Sequence, residues 1–169
     1  MKKLVLALCL LAISACDRPQ DSIKVSVSEG HSVTVITKST INNGVKTSFN
    51  MKASDYYIKP SLGVNTATAA YMSLENLGDK DDALVSVSCD CAGSALIHQM
   101  SNDHGMMNMS ELNALPLSAH QVTSLAPMGT HIMLMDTPKP LKSGDQVTLR
   151  LKFKSGFDME LNTRVQDKP

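Results

Sequence analysis

Tryptophan is absent, and phenylalanine and tyrosine occur only three times each in 169 residues. The apolar bulk therefore rests on aliphatic side chains and on 11 Met. An excess of either charge is also missing, since 16 basic residues meet 16 acidic ones. That balance removes the electrostatic case for a nucleic-acid partner. No apolar run is long enough to cross a bilayer as a helix; the longest, Leu4 to Ile13, falls well short. There is no internal repeat and no low-complexity tract, which excludes repeat architectures. What is present is ordinary for a soluble globular chain, with 43% hydrophobic and 19% charged residues. The length suits one domain with a real core rather than two.

The N-terminus has the pattern of an export signal. Met1-Lys2-Lys3 gives a charged start, Leu4 to Ile13 an apolar stretch, and Ser14-Ala15-Cys16 a small-residue cleavage site. Ile13-Ser14-Ala15-Cys16 resembles the bacterial lipobox, in which cleavage before the Cys leaves its thiol to carry diacylglycerol. We therefore expect residues 1–15 to be a lipoprotein-type signal peptide and Cys16 the lipid attachment site. Ordinary cleavage after Ser14 or Ala15, releasing a soluble periplasmic protein, is the competing reading. Asp17 resembles the enteric signal for retention at the inner membrane, so the expected location is the periplasm, lipid-anchored to the inner membrane of a Gram-negative bacterium. Loss of Lys2 and Lys3 takes the formal charge from 0 to −2. With Cys9 removed and Cys16 lipidated, only Cys89 and Cys91 meet an oxidising compartment.

Helical periodicity is scarce in the rest of the chain, and short alternating runs rich in β-branched residues recur instead. Ile23 to Ser28 and Val33 to Thr37 predict a hairpin around Glu29-Gly30-His31. Asn42-Asn43-Gly44 is a turn signal leading into Lys46 to Met51. Further strands are expected at Tyr56 to Lys59, Ala67 to Glu75, Leu84 to Cys89, Ala95 to Met100, His131 to Met135, Gln146 to Phe153 and Phe157 to Val165. Lys154-Ser155-Gly156 closes the last hairpin. Many short strands with frequent turns predict an all-β, antiparallel sandwich or barrel. The stretch from Asn102 to about Ala119 reads as one long irregular loop, a kind that often carries function. Residues 16–52 are expected to be a tether with an added hairpin, 53–165 the main domain, and 166–169 a tail.

Met is frequently flexible core filler, so its count alone decides nothing. Its distribution is more telling: most of the Met lie between His98 and Met135, together with four of the five His. On a strand, residues two apart share a face, so His131 and Met133 project together while Ile132 and Leu134 turn to the core. His98 sits on another expected strand, and Met109 in the loop after it. If the two strands meet at one end of a sandwich, that loop closes over two imidazoles and two thioethers. Thioether is soft and neutral, and suits Cu(I) far better than Zn(II), Mg(II) or Ca(II). A neutral donor set also favours a monovalent over a divalent ion.

This pattern, His98, ten residues, Met109, twenty-one residues, His131, one residue, Met133, resembles that of the PCuAC periplasmic copper chaperones. Ala70-Tyr71-Met72, His131-Ile132-Met133-Leu134-Met135 and Pro140-Leu141-Lys142-Ser143-Gly144-Asp145 also resemble the family. The likeness runs from about Ala53 to Val165. It implies a cupredoxin-like, immunoglobulin-like β-sandwich holding Cu(I) at an exposed site. It further implies a non-enzymatic role: delivery of copper towards the CuA centre of cytochrome c oxidase, through subunit II or another copper assembly factor.

Each candidate also has a plainer reading. Met72 and Met159 alternate with polar residues and fit a core. Met135 and Met100 share faces with His131 and His98, and so neighbour the site. Met106 and Met107 flank Met109 and compete with it as the third ligand. His104, His120 and His31 lie in turn-like surroundings and read as solvated. Cys89 and Cys91 leave three readings open: a reactive thiol pair, extra copper ligands, or no special chemistry. A disulfide between residues two apart on a strand would be strained, because their Cβ atoms are too far apart. A copper buffer or resistance lipoprotein, or a thiol redox protein using Cys89 and Cys91, are the alternative functions. A blue-copper electron carrier is disfavoured, since no Cys falls between His98 and Met133.

Overall fold

The computed structural model describes residues 22–28, 33–42, 45–64, 66–103 and 105–167. The expected signal peptide, Cys16, Asp17 and His31 lie outside the described residues, as do Asn43, Gly44 and His104. Twelve strands and no helix are found among the described residues. They are β1 (Ser22–Ser28), β2 (Val33–Asn42), β3 (Val45–Ile58), β4 (Thr68–Asn76), β5 (Asp82–Cys89) and β6 (Ser94–Asp103), followed by β7 (Met106–Glu111), β8 (Leu115–Leu117), β9 (Val122–Leu125), β10 (Thr130–Met135), β11 (Gln146–Phe153) and β12 (Asp158–Arg164).

The larger sheet runs β1-β2-β3-β4-β10-β6-β7, with β9 also paired to β4; the smaller runs β12-β11-β5-β8. Neighbouring strands within each sheet are antiparallel. The all-β sandwich read from the alternating runs is therefore the fold. Alternation also decides which face is buried. Along β4 every second side chain is buried, and β12 repeats that pattern. Ala70, Met72, Leu74, Ile97, Ile132 and Leu134 of the larger sheet meet Leu84, Leu149, Leu151, Phe153, Met159 and Leu161 of the smaller in one core. Met72 and Met159 are thus core residues, as their setting predicts. Burial of this kind stabilises by roughly 25 cal/mol per Å² of apolar surface, so the inward face holds the sandwich together and leaves the outward face free for chemistry.

The expected loop at 102–119 is not a loop. β7 pairs with β6 residue for residue across a turn at Gly105, which adopts φ +86° and donates its N–H to Asn102 Oδ1 at 2.9 Å. A side chain at that φ would be strained, so glycine suits the turn. All six residues of β7 are exposed, so no burial alternation marked it as a strand. β8 and β9 are short, at three and four residues, and Pro116 is tolerated because β8 is a sheet edge. The expected run Tyr56 to Lys59 falls at the end of β3, which stops at Ile58, continues unbroken through residues 52 and 53 and ties the β1–β2 hairpin into the larger sheet.

Two irregularities shape the outward face of the larger sheet. Between Ser54↔Ser73 and Tyr57↔Tyr71, β3 places two residues, Asp55 and Tyr56, against the single Met72 of β4, with Asp55 at φ 53°. This bulge sends Tyr56 inward, where its hydroxyl lies 3.0 Å from Thr34 Oγ1, and places Tyr57 outward beside Tyr71. The second irregularity separates β9 from β10, which run one after the other along the same edge of β4. Ala126 to Gly129 loop out between them, closed by Ala126 N–H to Thr130 O at 2.8 Å and Gly129 N–H to Ala126 O at 3.1 Å.

Candidate metal centre

The candidate donors lie on the outward face of the larger sheet, with His98 and His131 one pair from the end of the β6–β10 ladder at Gln99↔Thr130. β6 and β10 are adjacent and antiparallel, and His98 lies directly opposite His131. Their rings stand edge to face with centroids 6.0 Å apart. Met109 belongs to β7 rather than to a loop, and its Sδ lies 3.0 Å from His98 Nδ1. Met133 follows two residues after His131 on the same face, opposite Leu96 of β6 and Ala69 of β4. The structure thus joins His98, His131 and Met109 by contact or ring packing, and sets Met133 beside them by register.

His131 is the anchored member. It is only 5% exposed although it points away from the core. Its Nδ1 lies 3.1 Å from the carbonyl of Gly129. A carbonyl only accepts, so Nδ1 carries the proton and Nε2 keeps its lone pair in the neutral ring. Metal-binding histidines are commonly oriented by such a bond from the other ring nitrogen. The same Gly129 carbonyl accepts the Met100 N–H at 3.3 Å, so one loop fixes both the imidazole and the neighbouring strand.

Sequence reasoning missed the aromatic side of this face. Tyr57 and Tyr71 stand with ring centroids 5.3 Å apart, and Tyr71 lies 6.2 Å from His131. A row of rings therefore crosses β3, β4, β10 and β6 and ends at the Met109 thioether on β7. Burial, and after it the nearby Tyr57 phenol, push the Tyr71 hydroxyl above its ordinary range. Tyr71 is consequently a neutral neighbour at neutral pH. Glu111, opposite His98 on β7, is a carboxylate at the edge of the group, and its side chain is exposed. His120 lies elsewhere, exposed, with Nε2 3.2 Å from Asp79 Oδ1.

Cys89 and Cys91 are joined by a disulfide. β5 ends at Cys89, and the following turn brings the two Cα atoms to 5.1 Å, inside the range that a disulfide spans. The expectation of strain assumed a continuing strand, which the turn replaces. Asp90 Oδ1 accepts the Thr148 N–H at 3.0 Å and holds that turn against β11. Cys89 ends β5 of the smaller sheet, and Cys91, in the turn that follows, packs into the core, so neither sulfur shares the face of His98 and His131. A bridge over so short a loop removes little unfolded-state entropy, about 1.6 kcal/mol in the chain-entropy relation. Reducing it is accordingly expected to lower unfolding stability by no more than about 2 kcal/mol, measured by urea titration with and without a phosphine reductant. A larger loss would mean that the turn itself depends on the bond.

A family model described as "Putative lipoprotein LpqE-like" matches residues 51–165. Among curated proteins, "Putative lipoprotein Lxx21020" of Leifsonia xyli subsp. xyli is 30% identical over 101 residues, covering 59% of this chain and 61% of that protein. Protein RP573 of Rickettsia prowazekii is 29% identical over 113 residues, covering 64% and 62%. The chain thus spans about three-fifths of the length of these curated relatives. Among solved structures, the apo PCuAC domain of PmoF1 superposes with a TM-score of 0.58 at 24% identity, over 70% of this chain and 94% of that one. The copper-bound PCuAC domain of PmoF2 gives 0.58 at 22%, over 70% and 93%. At these identities the two speak for the fold, which is that of a PCuAC domain. The solution structure of Cu(I)-DR1885 from Deinococcus radiodurans gives 0.52 at 30% identity, over 66% of this chain and 76% of that one. The family match takes in the second half of β3 and every strand from β4 to β12, and the chain belongs to the LpqE-like family.

Proposed function

We propose that this protein is a periplasmic Cu(I) metallochaperone whose ligands are His98, Met109, His131 and Met133. The observation that carries the reading is the 3.0 Å approach of Met109 Sδ to His98 Nδ1, with His131 directly across the ladder. A thioether sulfur can only accept, so His98 Nδ1–H donates to Met109 Sδ there; the contact holds the two side chains together, and His131 offers a preoriented Nε2. All four donors are neutral and two are thioethers, a set that suits Cu(I) over Zn(II) or a hard divalent ion. Copper is the metal named for two of the similar structures, the PmoF2 domain and DR1885. The blue-copper alternative lacks support, because the nearest candidate thiolates are paired with each other on the other sheet.

Copper is cargo in this reading. An outward sheet face, open along its β7 edge, suits transfer to an acceptor better than long-term storage. The acceptor we favour is a copper assembly factor or the CuA-bearing subunit of cytochrome c oxidase. The lipoprotein names of the family and of one relative support cleavage after residue 15 and lipid on Cys16. Residues 16–52, which include β1, β2 and the first half of β3, would then connect the membrane to the domain of 53–165, with 166–169 as a tail. The site performs ligand exchange and needs no catalytic group.

The test is a Cu(I) titration of the mature protein against a competing chelator under reducing conditions. One Cu(I) per chain is expected, with weak or no Zn(II) binding. A protein with His98, Met109, His131 and Met133 all replaced by Ala is expected to lose high-affinity binding and keep its β-sheet circular dichroism. Undiminished affinity in that variant would defeat the assignment.

A further inference from the structure

The β6–β10 ladder stops at Gln99↔Thr130, and the Met100 N–H to Gly129 O bond follows it. Past this point β6 continues to Asp103 with β7 as its paired partner, forming a two-stranded arm that projects beyond the sheet. Ser101, Asn102 and every residue from Met106 to Ser110 are exposed. The arm nevertheless carries four Met, at 100, 106, 107 and 109. Met106 is 68% exposed, Met107 45% and Met109 49%, and Met128 in the adjoining loop is 69% exposed. Thioethers standing in water add nothing to a core, and a solvated arm is ordinarily made of polar side chains.

Register sorts these Met by face. Met100 lies opposite Met109, and Met107 lies opposite Asn102, two residues from Met109. Residues opposite one another, and residues two apart, share a face, with Cβ atoms about 4.5–8 Å apart. Met100, Met107 and Met109 therefore stand on the face of His98 and His131, whereas Met106 stands on the other. Met109 belongs to two groups at once: it touches His98 and it faces Met100.

We propose that Met100, Met107 and Met109 form an all-thioether relay, a second and weaker Cu(I) station through which the ion passes between the candidate centre and the tip of the arm. The proposal rests on the copper reading above. The step is ligand exchange without change of oxidation state: bonds from Cu(I) to the two imidazole nitrogens and to Met133 sulfur break as bonds to Met100 and Met107 sulfur form, with Met109 retained throughout. Thioethers do not titrate, so no proton is taken up or released by the relay itself.

The mature protein, loaded with one Cu(I), is mixed with excess bicinchoninate in a stopped-flow instrument, and equilibrium affinity is measured separately. In the double variant Met100→Leu, Met107→Leu, which keeps apolar volume, the transfer rate is expected to fall at least about fivefold, about 1 kcal/mol on the barrier. Equilibrium affinity is expected to stay within about twofold, since the four ligands of the centre remain. Met106→Leu, on the opposite face of the same arm, is expected to change neither quantity. An unchanged transfer rate in the double variant overturns the relay, as does equal slowing by Met106→Leu. Failure of the parent protein to load Cu(I) would show before the transfer step and would overturn the copper reading itself.

Discussion

Replacing His131 by alanine is expected to weaken Cu(I) binding at least about a hundredfold, because loss of a partner that merely orients a ligand already costs 10–100-fold. His131 combines burial, a fixed tautomer and a central place on the face. Its Nδ1–H is committed to Gly129 O, so no rearrangement is needed before Nε2 meets the ion. Met109 offers a contrast. It lies on the exposed arm, and Met100 and Met107 stand on the same face to replace it. Met109→Ala should therefore cost less, about tenfold, or about 1.4 kcal/mol. The check is competition titration of both variants with a Cu(I) chelator of known affinity. A His131→Ala protein that binds as tightly as the parent, or that suffers less than Met109→Ala, would contradict the geometry argued for the centre.

That ranking could not have been read from the sequence. Strand alternation sets His131 and Met133 on one face and Ile132 and Leu134 on the other, and the register of β10 has this arrangement. The β11–β12 hairpin was equally legible, since its apolar residues alternate and Gly156 sits at its turn with φ +80°. β7 was not legible, because a strand exposed on both faces leaves no periodic trace. The 126–129 loop was hidden for another reason: its value lies in a backbone carbonyl, which no residue type announces. Tyr57 reaches the outward face only through the Asp55 bulge, which shifts the alternation by one residue. The Cys89–Cys91 bond likewise depended on where β5 stops, a boundary that two cysteines two apart do not reveal.

The other large effect belongs to the inward face of the same strand. Leu134 is fully buried, and Leu134→Ala is expected to lower unfolding stability by about 3 kcal/mol, within the 2–5 kcal/mol usual for such truncations. Its side chain lies across β10 from the His131 face, so the donors themselves are untouched while the sheet that carries them is weakened. An ion that binds the folded chain and not the unfolded one stabilises by about 2.7 kcal/mol at a hundred times its dissociation constant. Cu(I) at that level should therefore restore most of the lost stability in Leu134→Ala, seen as a shift of the urea midpoint back towards that of the metal-free parent. The double variant Leu134→Ala, His131→Ala should show the loss without the recovery. Recovery of equal size in both would place the stabilising ion somewhere other than the face defined by His98 and His131. Recovery in the first alone would tie metal binding and sandwich stability to opposite sides of one six-residue strand.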